Sequence, residues 1–423
     1  MSSSALAVPH SPAKLVIPPL WQKMPMLLTV VGAVAGLIGV FQAPKQFAHS
    51  YLLAYMFFLS LCLGALFLTL IHHLFDASWS VPVRRVTEHM GFLLPVMAVL
   101  FIPIAVMGPT QIYTWMQLDP HTDHALHAKL PLFTKAGFYG TALAVFAVWA
   151  WLSYNLRKWS LLQDTTRDNA VRVQCTRKLR MHSAYGIYAF AFSLTMGAIM
   201  WMKALEHQWF STMYGVYYYA ASVWTTLGTL YVIVAVLKRT GPLSAVVSAR
   251  QMHDIGVLWL AFTVFYAYIH FSQYFLIYNA NIPEETFYYV QREQGSWWQI
   301  CLLLVFGHFL FPFVTLLRID LKLKLQVMIP LAIWAWLMHF CDMSFNIMPV
   351  IHPKNFNLHI LDLTCMAFIG GVLTIVFLKY FHAHEPYPVN DPRLGEALGV
   401  HHHDVPAHAP AHAHDADGGR KCK

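Results

Sequence analysis

No two of the six cysteines, at 62, 175, 301, 341, 365 and 422, stand close enough to form a C-x-x-C pair. That removes covalently attached haem c, zinc ribbons and cysteine-ligated iron–sulfur clusters, each of which needs closely spaced thiolates. Four of the six fall inside long apolar runs, where a free cysteine behaves as a small apolar side chain, so no disulfide framework is implied. Charge is scarce too: Asp, Glu, Lys and Arg make up 11% of the 423 residues, about half the share usual in soluble domains. Residues Met1 to Lys23 contain no apolar stretch ending at a small-residue cleavage site, so the first apolar run is expected to be retained rather than cleaved. Barrel strands alternate polar and apolar residues, and runs such as Met56-Phe57-Phe58-Leu59-Ser60-Leu61-Cys62-Leu63 do not.

What the chain does have is ten long apolar runs, at 24–42, 51–74, 90–107, 133–154, 184–204, 215–237, 255–278, 297–316, 326–346 and 358–380. An apolar helix needs about 20 residues to cross a hydrocarbon core of roughly 30 Å, and in lipid its backbone must pair within the segment. The expected fold is an all-α polytopic membrane protein with about ten transmembrane helices. The chain divides into a cytoplasmic segment 1–23, a membrane domain 24–380, and a His-rich tail 381–423 read as disordered and cytoplasmic. The tail histidines, His401 to His403, His408, His412 and His414, are expected to bind metal incidentally or not at all.

Sorting the 28 Lys and Arg residues by alternate loops leaves all but six on one side, the exceptions being Lys45, Lys129, Lys135, Lys203, Arg292 and Lys354. Basic residues of short loops stay cytoplasmic, which places both termini inside. The net charge of +8 is then a topology signal, and no nucleic-acid partner is called for. The expected location is a bacterial cytoplasmic (inner) membrane, with lipid as the surrounding partner.

Two stacked haems b need paired histidines about 20 Å apart on one helix, roughly 13 residues. Outside the tail only His339 and His352 show that spacing, and Pro349 and Pro353 put His352 in a loop. The chain is expected to hold no redox centre and no metal.

Ionisable side chains inside spans are costly unless paired, hydrated or turned inward, so each marks a site by default. Near the cytoplasmic ends lie His72, His73 and Asp76 after the second span, Glu88 and His89 opening the third, His182, and His253 with Asp254 before the seventh. Toward the middle and outer half lie His270, His308, the pair His339 and Asp342 on one helix face, and His359 with Asp362. Thr195, Thr225, Thr226 and Tyr266 offer intermediate hydroxyls. Such groups at successive depths suit a proton path; each would look the same if it only bonded a neighbouring helix. Runs such as Tyr217-Tyr218-Tyr219 and Trp297-Trp298 read as interfacial belts or packing.

Thr87-Glu88-His89-Met90-Gly91 and Met252-His253-Asp254-Ile255-Gly256 both follow a short basic loop and open a span. If this echo is real, spans 2–5 and 6–9 are two four-helix bundles of the same orientation, with spans 1 and 10 as extra helices. An accidental match would look no different.

The run from Met252 to Gly256, with Ala261-Phe262-Thr263-Val264-Phe265, Phe271-Ser272-Gln273-Tyr274 and Asn279-Ala280-Asn281-Ile282-Pro283-Glu284-Glu285-Thr286, resembles the NrfD/PsrC-like membrane subunits of alternative complex III. So do Trp209-Phe210-Ser211-Thr212-Met213-Tyr214-Gly215-Val216-Tyr217 and the stretch from Pro82-Val83-Arg84-Arg85 to Glu88-His89-Met90. The likeness is to the ActF-like type and covers almost the whole chain up to 381. It implies a membrane subunit of a quinol:electron acceptor oxidoreductase. Its partners would be a sister NrfD-like subunit, a multihaem cytochrome carrying haem c and an iron–sulfur protein. The resemblance implies a proton route in this subunit and a quinol site on its sister. A quinol-binding role for this chain itself and an independent proton-coupled transporter are the alternatives.

Overall fold

The computed structural model describes residues 19–399. Ten helices are long and apolar enough to cross a membrane: α1 (Gln22–Gln42), α2 (Pro44–Leu74), α3 (Val81–Ile112), α4 (Lys135–Thr165), α5 (Asn169–Trp201), α6 (Tyr214–Thr240), α7 (Ala249–Ala280), α8 (Trp297–Leu317), α9 (Leu325–Val350) and α10 (Ile360–His382). Among the described residues there is no strand. The chain is an all-α polytopic membrane protein.

Almost every residue of α2 from Phe47 to Leu70 is buried, and α6 is buried nearly as completely. A helix apolar on all sides belongs at the centre of a bundle, and these two pack on each other there. They run parallel: Tyr218 donates to the carbonyl of Met56 at 2.7 Å, and, farther along both helices, Thr226 donates to that of Leu61 at 3.2 Å. The crossing depends on Gly64, where a Cβ would stand 2.6 Å from the Ser222 carbonyl oxygen; small residues let membrane helices approach this closely.

Around this pair the packing repeats. α2 touches α3 and α5, and α4 lies on α5; α6 touches α7 and α9, and α8 lies between α7 and α9. The cross contacts also match, α5 meeting α6 as α9 meets α2, while α1 and α10 pair beside α2. Two four-helix units with two extra helices, the arrangement that the short sequence echo suggested, are therefore present in the packing.

Prolines break two helices. Pro95 and Pro103 divide α3 into α-helical pieces ending in a π-helical turn at Gly108–Ile112. In α8 a π-helical stretch, Leu304–Leu310, precedes Pro312. Pro312 has no N–H for the carbonyl four residues back, which is that of His308, and widened turns of this kind often accompany function.

One expectation needs correction. Residues 383–399 do not form a disordered tail: Tyr387, Asp391 and Leu394 are buried, and the segment lies across the Arg-rich ends of α2, α3, α4 and α7 through Asp391, Asn390, Arg393 and the Ala397 carbonyl. The composition after 381 looked too polar to build a core, but the segment needs none of its own because it docks on one. Residues 400–423, with their histidines, lie outside the described residues, as do 1–18.

Candidate proton-handling site

The end of the bundle that carries Arg84 and Arg85 is called the basic end below, and the opposite end the far end. Deep between α6, α7, α8 and α9 lies a polar cluster built on one face of α9, which presents His339, Asp342 and Asn346 at i, i+3 and i+7. His308, His339 and Asp342 are each 0% exposed. One carboxylate oxygen of Asp342 accepts from the Tyr217 hydroxyl; the other has no hydrogen-bond partner among the described residues. Asn346 fixes this arrangement, donating at 2.8 Å both to the Tyr217 oxygen and to the Asp342 carbonyl.

His339 Nε2 lies 2.8 Å from the Ser60 hydroxyl, whose own proton goes to the Phe57 carbonyl at 2.6 Å. The imidazole is therefore the donor in this bond, and its Nδ1, without a partner, is left as an acceptor. His308 is held between the Trp224 and Tyr266 rings, with centroids 3.8 Å away on each side. Trp224 is pinned by a 2.9 Å bond to Thr263. Both His308 nitrogens and the Tyr266 hydroxyl lack hydrogen-bond partners among the described residues, and His270 also stacks on Tyr266. Buried polar atoms are nearly always satisfied, so this concentration of atoms without a partner among the described residues marks the cluster as a candidate site.

Donor atoms of His308, His339 and Asp342 lie within 4.8 Å of one another. That spacing lets the three serve as ligands of one metal ion; the sequence had placed them in one depth group without reading them as a ligand set.

From Asp342 the polar chain continues toward the far end. Asn346 Oδ1 accepts from Tyr214 and Tyr288, each at 3.0 Å. The buried Arg292 guanidinium covers the Tyr288 ring at 3.4 Å and bonds Glu206 at 3.1 Å. The second Glu206 oxygen, Oε2, is buried without a hydrogen-bond partner among the described residues. Burial, with the Lys129 ammonium beside it, holds nearby Lys203 down at about 7.

A second polar network closes the basic end. Arg84 bonds Glu88 at 2.8 Å, Asp391, and His72 Nε2 at 2.9 Å; Arg85 bonds Glu88 at 2.7 Å and Asp164. Because Arg84 only donates, His72 Nε2 accepts and its Nδ1–H points to Ser80. Ser160 donates to Glu88 at 2.7 Å. His89 is buried, neither nitrogen having a hydrogen-bond partner among the described residues, and its ring is stacked on His384.

The structure thus brings His270, His308, His339 and Asp342 together, and His72 with Glu88, and it separates the rest. His253 and Asp254 sit half-exposed at the basic end, 3.6 Å from each other. His359 caps α10 by accepting from the Leu361 N–H, with Asp362 completing the box; Asp362 also accepts from Ser50 at 2.5 Å, away from Asp342. Thr195, Thr225 and Thr226 bond carbonyls of their own helices. Sequence reasoning missed Tyr217, Asn346, Tyr288, Arg292 and Glu206 at the far end and Arg84 and Asp391 at the basic end. Asn346 carried a usable signal, four residues beyond Asp342 on the same face; Tyr217 was hidden in a run read as packing.

Among the described residues no hydrogen bond joins the two networks, although the Thr226 hydroxyl of α6 bonds the Leu61 carbonyl between them. The last polar side chain of the far network on α2 is Ser60 and the first of the basic one is Thr69, bonded to Thr87 at 3.2 Å. Nine residues of helix are about 13 Å, and Leu61, Leu63 and Leu66 are buried among them. No protein-family model and no curated protein matches this chain.

Proposed function

We propose that this chain is the proton-handling membrane subunit of a quinol-oxidising respiratory complex of the alternative complex III type, whose electron carriers sit on its partners. The observation that carries the reading is the wholly buried Asp342 carboxylate, hydrogen-bonded on one oxygen, open on the other, and facing two imidazoles with free nitrogens. A group that exchanges protons needs an ionisable atom with room for the proton and neighbours able to take it. Asp342 has both.

In this reading His339 and His308 exchange protons with Asp342. Tyr217, Tyr214 and Tyr288 lead toward Glu206, which releases protons at the outer face. Asn346 orients the tyrosines and is not itself a carrier, because an amide does not readily give up and regain protons. The apolar stretch between Ser60 and Thr69 is the barrier that keeps the two sides of the membrane from short-circuiting. Transfer across it is tied to quinol oxidation next door. The partners are a sister NrfD-like subunit, a multihaem cytochrome with haem c and an iron–sulfur protein, in a bacterial inner membrane with both termini cytoplasmic.

A proton-coupled transporter working alone is the second reading, supported by the π-helical turn that carries His308, since broken helices at mid-membrane mark transporter sites. Affinity purification from native membranes separates them. Recovery with haem c and iron–sulfur subunits supports the complex, and recovery of the chain alone with proton-coupled uptake supports the transporter.

A further inference from the structure

Two helices bring two imidazoles and a carboxylate to one buried point. His308, on the π-helical turn of α8, and His339 and Asp342, on one face of α9, each offer a donor atom within 4.8 Å of those of the other two. Each also keeps an atom with no hydrogen-bond partner among the described residues: both nitrogens of His308, Nδ1 of His339 and Oδ2 of Asp342. Buried lone pairs left unsatisfied are costly. A single cation would satisfy all three residues at once.

The rest of each side chain is held as the ligands of a bound metal are held. A metal-bound imidazole almost always gives its other N–H to an oxygen, and a metal-bound carboxylate is itself hydrogen-bonded. His339 gives its Nε2–H to Ser60, whose own proton goes to the Phe57 carbonyl, so Nδ1 keeps the lone pair that a cation needs. Oδ1 of Asp342 accepts from Tyr217, which Asn346 orients, and Oδ2 is left over. The two faces of His308 lie against Trp224 and Tyr266. Only the ring edge, where both nitrogens sit, remains for a ligand contact.

The donor types narrow the ion. Magnesium and calcium take oxygen ligands, and copper(I) favours thiolate and thioether. Two histidines and one carboxylate, with a fourth position left to water, are a common zinc set. We infer that His308, His339 and Asp342 bind one zinc ion. Its consequence rests on the proton-handling reading of the same residues: the ion takes the lone pairs through which protons would pass, so bound zinc closes the route.

The test uses the purified full chain with its native partners, incubated with zinc chloride, passed through buffer containing EDTA to strip exposed sites, and assayed for zinc per chain. The wild type should retain about one zinc more than His308→Phe, which keeps a ring between Trp224 and Tyr266 but has no nitrogen. It should exceed Asp342→Asn, which keeps an oxygen for Tyr217 but no charge, by the same amount. The tail histidines and the partner subunits are common to all three proteins and cancel. X-ray absorption of the retained zinc should show nitrogen and oxygen ligands at about 2.0–2.2 Å. Equal zinc in the wild type and both variants, or sulfur bound to the retained ion, would overturn the inference. If one variant does not assemble, the other variant and the absorption spectrum still decide. The zinc count does not depend on proton flow: zinc retained by the wild type alone, with a proton-to-electron ratio that zinc leaves unchanged, would uphold the site and count against the proton-handling reading.

Discussion

Replacing Asp391 by alanine removes one carboxylate from the ion-pair network that joins Arg84, Arg85 and Arg393 to Glu88, Asp164 and Asp391. Both Arg84 and Asp391 have side chains 0% exposed, and breaking a buried pair by deleting one partner costs about 3–5 kcal/mol, because the other charge is stranded. That cost need not unfold the bundle. Asp391 belongs to the segment 383–399, otherwise held by Tyr387, Leu394, and the bonds from Asn390 to the Asp164 carbonyl and from Gln251 to the Ala397 carbonyl. The segment can lift off and let water reach Arg84, so local release should precede global melting.

The assay is amide hydrogen exchange of the detergent-solubilised protein, read peptide by peptide. Protection of 383–399 should fall roughly a hundredfold or more, with the cores of α2 and α6 unchanged. Arg84→Met with Asp391→Leu replaces the pair with apolar side chains and should regain much of the protection. Acid should do the same as the alanine. Burial alone would push the Asp391 carboxyl up, but Arg84 and Arg393 outweigh it and hold it well below the usual carboxylate range. A group whose pKa is depressed on folding contributes in full above its unfolded value, about 4, and loses that contribution as pH falls through the folded one. The segment should stay docked from pH 5 to 8 and loosen below about pH 4. Unchanged exchange of 383–399 in Asp391→Ala at pH 7 would refute the reasoning.

Three further outcomes are expected. Tyr217→Phe leaves an Asp342 oxygen and an Asn346 amide proton without a partner in the interior, a loss of about 1–3 kcal/mol, visible as a lower unfolding temperature of the protein, and on the proposed function it should also slow proton release. Gly64→Ala forces a Cβ against the Ser222 carbonyl at the α2–α6 crossing and should cost about 1–3 kcal/mol by overpacking, measured by thermal unfolding, while Ala65→Gly, one position on, should cost less. His253→Ala with Asp254→Asn, half-exposed at the basic end, should change stability by less than about 0.5 kcal/mol and leave proton-to-electron stoichiometry intact, although the sequence had grouped both with the inner path.

Much of the fold was legible because lipid leaves few choices: ten runs of adequate length could hardly be anything but ten helices. Depth was legible too, since counting 1.5 Å per residue placed His308, His339 and Asp342 near one level. What the sequence could not show is rotation and partnership. His359 shares a depth range with Asp342 yet serves as a cap, and His253 shares a motif with Glu88 and His89 yet faces outward. The ion pair of Arg84 with Asp391 joins residues 307 positions apart, a distance no periodicity spans. The π-helical turn that presents His308 had one sequence sign, Pro312, which reads equally well as an ordinary helix stop or kink.

The most direct test of the proton-handling assignment is Asp342→Asn in the intact complex, reconstituted in vesicles, with protons counted per electron during quinol oxidation. Asparagine keeps the volume and an oxygen for Tyr217 but cannot ionise, so the bundle should assemble and electrons should still reach the acceptor while the proton-to-electron ratio drops to that of quinol chemistry alone. A ratio identical to the wild type in a fully assembled Asp342→Asn complex would contradict the account.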